Sequence, residues 1–137
     1  MGTGFNVHCL HCGYEEDFME GKGMVVHEYS LKRYLEEEPF HVHRMTHRKI
    51  EQLARRYGHL RIDAEYRLLL CPHCHIPFSR LHITVFDRER IYHQTRFRCT
   101  HCERPLKEIA TGNIENYRCP ECLEKSLVVG LDVINWD

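Results

Sequence analysis

The stretch FRCTHCERPLKEIATGNIENYRCPEC, residues Phe97–Cys122, writes one pattern twice. Phe97-Arg98-Cys99-Thr100-His101-Cys102 and Tyr117-Arg118-Cys119-Pro120-Glu121-Cys122 both read aromatic, arginine, cysteine, two residues, cysteine. Further out, Cys9/Cys12 and Cys71/Cys74 share the spacing, so all eight cysteines fall into four Cys-x-x-Cys pairs. Two intervening residues let a tight turn aim both sulfurs at one point while its N–H groups donate to the thiolates. Two such turns make a closed tetrahedral site of four cysteines. With no cysteine left over, the pattern predicts two metal sites; eight reduced structural thiols would not need this spacing.

Cys102 and Cys119 are separated by 16 residues, enough for a β-hairpin with its turn near Gly112-Asn113. This predicts one site from Cys99, Cys102, Cys119 and Cys122. The other would then join Cys9, Cys12, Cys71 and Cys74 across a gap of 58 residues. Within each set the first turn lacks proline (CLHC, CTHC) and the second carries it (CPHC, CPEC). An interleaved arrangement, first pair with third and second with fourth, stays open because spacing does not fix connectivity.

These knuckles, the second of each set beginning Cys-Pro, resemble the zinc-ribbon family, in which two knuckles ride on β-strand ends. The resemblance covers the cysteine-bearing segments only. It implies tandem four-cysteine ribbons holding two Zn2+, with Phe97 and Tyr117 closing strands and packing beside the metal. It also implies a setting such as transcription, translation or nucleic-acid processing. A glycine commonly follows a knuckle in that family. Only Gly13 does so here; His75, Glu103 and Leu123 hold the other positions, which implies less regular turns. CLHCGY (Cys9–Tyr14) with the later CPHC also resembles, more weakly, the rubredoxin pattern, where four thiolates hold iron. Iron is therefore the alternative metal, although the 58-residue gap is long for that family and the second knuckle lacks its glycine. A redox Cys-x-x-Cys usually stands alone in a βαβ context, whereas every pair here has a partner pair.

At 137 residues the chain suits one ordinary domain or two small ones. No apolar run approaches a membrane span, and MGTGFNVHCLHC has neither the basic nor the apolar region of a secretory signal. Gly2 invites myristoylation, but Asn6 sits where that motif wants Ser or Thr. The expectation is a cytoplasmic chain in a reducing compartment, with no membrane partner and its thiols serving as metal ligands.

Residues 5–12 predict a strand entering the first knuckle. Gly21-Lys22-Gly23 reads as a turn before a strand at Met24-Val25-Val26. Ser30 caps a short helix burying Leu31, Tyr34 and Leu35, which Pro39 stops after Glu36-Glu37-Glu38. THRKIEQLARRYG predicts a helix capped by Thr46, with Ile50, Leu53, Ala54 and Tyr57 on one stripe and Gly58 at its end. A strand runs from EYRLLL into the second knuckle. Leu81–Phe86 and Ile91–Phe97 predict a hairpin across Asp87-Arg88-Glu89-Arg90, and its second strand could join the two ribbons in one sheet. SLVVGLDVINWD reads as a final strand bulged at Gly130, burying Leu127 and Trp136.

Formal net charge is −1; eight thiolates with two dications would lower it by four to −5, a poor long-range field for nucleic acid. A local patch is needed, and the best one is Arg44, Arg48, Lys49, Arg55, Arg56 and Arg61, flanked by His47 and His59. Its functional reading is phosphate contact with RNA or DNA; the bland one is a solvated helix face. His11, His73 and His101 sit inside knuckles, where four sulfurs per site already suffice. His41, His43 and His47 raise a third metal site, but no HExxH pattern supports it. No nucleophile elbow, phosphate loop or dinucleotide fingerprint appears.

The combined expectation is an α+β protein of two linked zinc ribbons: residues 1–96 with a two-helix insertion at about 30–60, and residues 97–137. Its role would be a non-catalytic zinc-stabilised binding module. A still unidentified protein partner, in a nucleic-acid-processing or regulatory assembly, would make it an adaptor. Direct RNA or DNA contact and iron electron transfer are the alternatives.

Overall fold

Strands that begin or end at cysteine knuckles pair antiparallel, and this pairing organises the chain. The computed structural model describes residues 2–21 and 29–136, with the backbone path alone for 131–136. In chain order the elements are β1 Gly2–Cys9, β2 Glu15–Gly21, β3 Tyr29–Ser30, α1 Leu31–Glu37, α2 Arg44–Arg56, β4 Arg61–Leu70, β5 Pro77–Phe86, β6 Ile91–Gln94 and β7 Lys107–Glu108. A 3-10 helix over Thr111–Asn116 and β8, Leu127–Trp136, complete them. The sheet runs β6-β5-β4-β2-β1-β8, with β3 and β7 also paired to β4. The coarse α+β expectation therefore stands: antiparallel sheet, a few short helices and two cysteine clusters. Among the described residues no helix is long and apolar enough to cross a membrane.

β4 is the central strand, and its alternation builds two cores on one face. Ile62 and Ala64 are fully buried under the helices, packed with Tyr34 and Ile50. Leu68 and Leu70, on the same face further along, are buried with Phe5, Val7, Ile114 and Leu127. That second cluster also contains Cys9 and Cys119. One end of the sheet is thus covered by helices and the other by knuckles and a short 3-10 helix.

The helices follow local signals. The Ser30 hydroxyl accepts from the Arg33 N–H at 3.2 Å and caps α1, whose Leu31 and Tyr34 are buried. Ile50 and Leu53 form the buried stripe of α2. Its cap differs from expectation: the helix starts two residues before Thr46, and His43 Nδ1 accepts from the Met45 N–H at 3.2 Å. An imidazole nitrogen can do the work of a hydroxyl there, and the rule that favours Ser and Thr does not anticipate it.

Two further differences shape the metal end. β2 pairs with β1 in register from Gly2↔Gly21 to His8↔Glu15, although EEDFMEG has little strand propensity. Phe18 is its one fully apolar anchor, 3% exposed, with its ring 5.9 Å from that of Phe5 across the pair. Residues 103–118 do not form a hairpin turning at Gly112-Asn113. β7 pairs with β4 at Leu69 and Leu70, and the 3-10 helix then carries the chain toward β1 with Ile114 buried. A hairpin would have returned the chain to its starting edge.

β8 shifts register against β1 between Phe5 and Val7, the irregularity expected around Gly130. Asn6 lies so close that a Cβ at Gly130 would meet its Oδ1 at 3.2 Å. The strand expected at Met24-Val25-Val26 and the side chain of Trp136 lie outside the described residues.

Candidate metal centres

Each knuckle is a tight turn, and all four have the same hydrogen-bond pattern. In the first, the Cys9 N–H donates to Tyr14 O at 2.8 Å and the Gly13 N–H to Cys9 O at 3.3 Å. The equivalents are Cys71 N–H to Ile76 O (3.1 Å) with His75 N–H to Cys71 O (2.9 Å), and Cys99 N–H to Arg104 O (2.8 Å) with Glu103 N–H to Cys99 O (2.9 Å). In the fourth, Cys119 N–H reaches Glu124 O and Leu123 N–H reaches Cys119 O, both at 2.9 Å. The residue after each second cysteine is left-handed: Gly13 at φ 80°, His75 at 62°, Glu103 at 61° and Leu123 at 63°. The expectation of less regular turns at the three non-glycine positions is therefore corrected. The hydrogen-bond pair imposes the conformation, and each L-residue there carries about 1 kcal/mol or more of strain.

Backbone donors then aim at the first sulfur of each turn. His11 and Cys12 N–H approach Cys9 Sγ at 3.3 and 3.4 Å, and Cys74 N–H approaches Cys71 Sγ at 3.3 Å. His101 N–H and Glu121 N–H reach Cys99 and Cys119 Sγ, both at 3.4 Å. The repeated arginine has a matching role. Arg98 Nη1 donates to Glu103 O at 3.1 Å and Arg118 Nη1 to Leu123 O at 3.2 Å, each pinning the left-handed residue of its own knuckle.

The knuckles meet in a nested order. Cys9, Cys12, Cys119 and Cys122 gather in one quartet, and Cys71, Cys74, Cys99 and Cys102 in the other, with all four sulfurs of each within 4.8 Å of one another. This corrects both expected connectivities. The sheet supplies the reason. β1 ends at Cys9 and β8 begins at Leu127, and these residues are antiparallel partners, so the first and fourth knuckles abut. The Leu10 N–H bonds Ser126 O at 3.0 Å across the junction. The second knuckle is the turn between β4 and β5, and the β5–β6 hairpin folds the chain back to set the third beside it. Each quartet draws one pair from residues 1–96 and one from 97–137.

The donor geometry fits a tetrahedral ion. A Zn–S bond of about 2.3 Å implies sulfur–sulfur edges of roughly 3.8 Å. Cys9–Cys122 and Cys12–Cys119 stand at 3.6 Å and Cys71–Cys102 at 3.5 Å, far beyond a disulfide bond, and all eight cysteines are free. Burial alone would raise the Cys9 thiol. The Ser126 hydroxyl, 3.0 Å from its sulfur, and the N–H groups of Cys12 and His11 outweigh this and hold it at about 6. Cys71 is likewise lowered to about 7, burial again being outweighed by turn N–H groups and neighbouring sulfurs. Cys74, buried against three other sulfurs, is pushed up to about 12, and so is Cys12, where burial and its sulfur neighbours outweigh the Tyr14 N–H. Each metal-free quartet thus keeps protons that a cation would displace.

His11, His73 and His101 are exposed and belong to neither quartet. Among the described residues His41, His43 and His47 form no ligand group; His43 caps α2, and His47 Nε2 faces Glu51 Oε1 at 3.1 Å. Arg44, Arg48, Lys49, Arg55, Arg56 and Arg61 are all exposed, but they do not line one groove. Arg44 and Arg48 line a groove with Glu38 and Glu51, and Arg55 lines the adjoining groove with Glu36 and Glu38. Lys49 and Arg56 line neither. Ser126 and the arginine clamps were not foreseen as site residues; the clamps had a signal in the repeated Arg-Cys. Comparisons with protein-family models, curated proteins and solved structures match nothing to this chain.

Proposed function

We propose that the chain is a zinc-stabilised, non-catalytic binding module, an adaptor within a nucleic-acid-processing or regulatory assembly. The observation that carries this reading is the pair of all-cysteine quartets. Four sulfur donors fill a tetrahedral ion, so the metal supplies cross-linking and leaves no position for a substrate. The quartets fasten the sheet where helices do not cover it, and the work falls to the exposed surface. Metal analysis with a visible spectrum tests the proposal, followed by chelation monitored by circular dichroism. Two zincs per chain, a colourless sample and cooperative loss of strand signal on chelation are expected. A red, iron-loaded protein with reversible one-electron chemistry would replace the adaptor with an electron carrier.

A further inference from the structure

The two quartets share one turn geometry but show different side chains to solvent. Among the described residues five large apolar side chains are exposed, and two of them belong to the quartet of Cys9, Cys12, Cys119 and Cys122: Leu10 at 71% and Leu123 at 50%. Each directly follows a cysteine, and the sulfurs of those two cysteines, Cys9 and Cys122, stand 3.6 Å apart. The Leu10 N–H, bonded to Ser126 O at 3.0 Å, joins the two knuckles at the same place. The other quartet serves as an internal control, with Pro72, His75, Thr100 and Glu103 at the matching positions. Neither leucine is needed by the turn. Leu123 takes the left-handed position, φ 63°, that Gly13, His75 and Glu103 fill in the other knuckles. A half-exposed leucine there bears the strain of an L-residue and recovers little of it by burial. Two leucines on one small site make a patch, unlike apolar residues scattered singly over a surface.

The surroundings of this patch are acidic. Glu121 and Glu124 lie two positions before and one after Leu123, and Glu15, Glu16 and Asp17 open β2 directly after the first knuckle; all five are exposed. Asn6 Nδ2 donates to Glu15 Oε1 and Asp17 Oδ1 at 3.0 and 2.9 Å, and the Tyr14 hydroxyl donates to Glu16 Oε2 at 2.7 Å. These neutral donors fix three carboxylates beside the knuckle and leave their charge in place. Among the described residues none of the five forms an ion pair. Four thiolates around a dication add two further negative charges. Against them stand Arg118, which donates to Leu123 O, and the exposed Lys125. His8 and His11 count only when protonated.

We infer that the first and fourth knuckles together dock a cationic, apolar peptide segment of a protein partner. Apolar side chains of that segment cover Leu10 and Leu123, and its Lys or Arg residues meet the carboxylates around them. Apolar contact supplies the anchor and opposite charge selects the partner. An anionic lipid surface or a nucleic acid would meet the same leucines but be repelled by the carboxylates. A second copy could offer Met45, 64% exposed, between Arg44 and Arg48 of α2. Those arginines already share their groove with Glu38 and Glu51, and such a head-to-tail contact gives rings or filaments instead of a closed pair. The inference rests on the binding-module reading and gives it a partner class.

The test is selection from a phage-displayed random dodecapeptide library on the zinc-loaded full chain, counter-selected on the Leu10→Ser, Leu123→Gly double variant. Fluorescence anisotropy of the best synthetic peptide then gives affinities, with zinc content and melting temperature measured on every variant. Selected sequences should combine Leu, Ile or Phe with Lys or Arg. Leu123→Gly should lower affinity roughly 10-fold yet raise the melting temperature, because the left-handed strain leaves with the side chain. Lost binding in a more stable protein cannot come from misfolding. Leu10→Ser should cost a similar factor. Glu121→Lys with Glu124→Lys should lower affinity and flatten its salt dependence. Glu103→Gly, the matching change in the other quartet, should leave binding unmoved. Amide shifts on peptide binding should centre on residues 10–16 and 120–125. The inference is overturned if the double variant selects the same sequences, if the selected peptides are acidic or lack apolar residues, or if Leu123→Gly binds as well. Self-association of the chain through Leu10 and Leu123 would also overturn it, making a second copy the occupant. A folded two-zinc protein that selects no peptide would overturn it too, yet leave the scaffold reading standing. Peptide binding at these leucines by a folded, metal-free protein would do the reverse.

Discussion

The two quartets are built from identical knuckles but hold the chain at different scales. Cys71–Cys102 bridges 31 positions at the tip of β4 and β5, whereas Cys9–Cys122 and Cys12–Cys119 bridge 113 and 107 and clasp β1 to β8. The second quartet is also woven into an apolar core, which includes Cys9 and Cys119. The first closes a local fold-back; the second ties the two ends of the sequence together. Closing the longer loop restricts the unfolded chain by about 1 kcal/mol more, two doublings at roughly 0.6 each. The same contrast divides the sheet: the helix-covered end packs around Tyr34 and Ile50, whereas the cysteine end combines its own apolar cluster with two quartets that could hold metal.

The largest expected effect is therefore at the terminal clasp. Cys119→Ser should remove one metal and cost stability on the order of 10 kcal/mol, the scale of structural zinc binding, and should unzip β1 from β8. Cys99→Ser should also lose one metal but leave β1–β8 amides protected in hydrogen exchange. Equal deprotection by both variants would erase the distinction. Next is Ile50→Ala, expected to cost about 2–5 kcal/mol in denaturant melts while leaving metal content unchanged. If metal is lost with it, the two ends of the sheet are not separable.

Ser126→Ala should act only on the terminal quartet, weakening that site's metal affinity by roughly 10- to 100-fold in competition with a chelator. Cys9 sits at about 6, below its ordinary 9.0, so the thiolate is favoured above that range and lost as pH falls through about 6. Without the Ser126 hydroxyl, acid release from this site should move to higher pH while the other quartet is unmoved. The smallest effect belongs to the left-handed positions: Glu103→Gly should stabilise by about 1 kcal/mol, and Gly13→Ala should cost a similar amount. Gly13 has no atom within 4 Å of an added Cβ, so conformational strain alone sets its cost.

Local signals in the sequence were sufficient for local structure. The four knuckles, the Ser30 cap, the Ile50–Leu53 stripe and the β5–β6 hairpin depend on residues a few positions apart. What the sequence did not reveal is non-local. The nested ligand sets follow from antiparallel pairing of β1 with β8, and no Cys-x-x-Cys spacing carries that information. β2 is acidic and takes its strand form from its neighbour β1. Tyr57 and Tyr92 are distant in sequence, so the tilted contact of their rings emerges only once α2 packs over the hairpin. Three non-glycine residues in left-handed turns show ligand-turn hydrogen bonding overriding residue preference.

Proton–cadmium correlation spectra of the cadmium-substituted protein test the nested closed quartets most directly. Two cadmium signals are expected, one coupled to the β-protons of Cys9, Cys12, Cys119 and Cys122 and the other to those of Cys71, Cys74, Cys99 and Cys102. A cadmium shared by Cys9 and Cys71, or one coupled to fewer than four cysteines, would contradict the account.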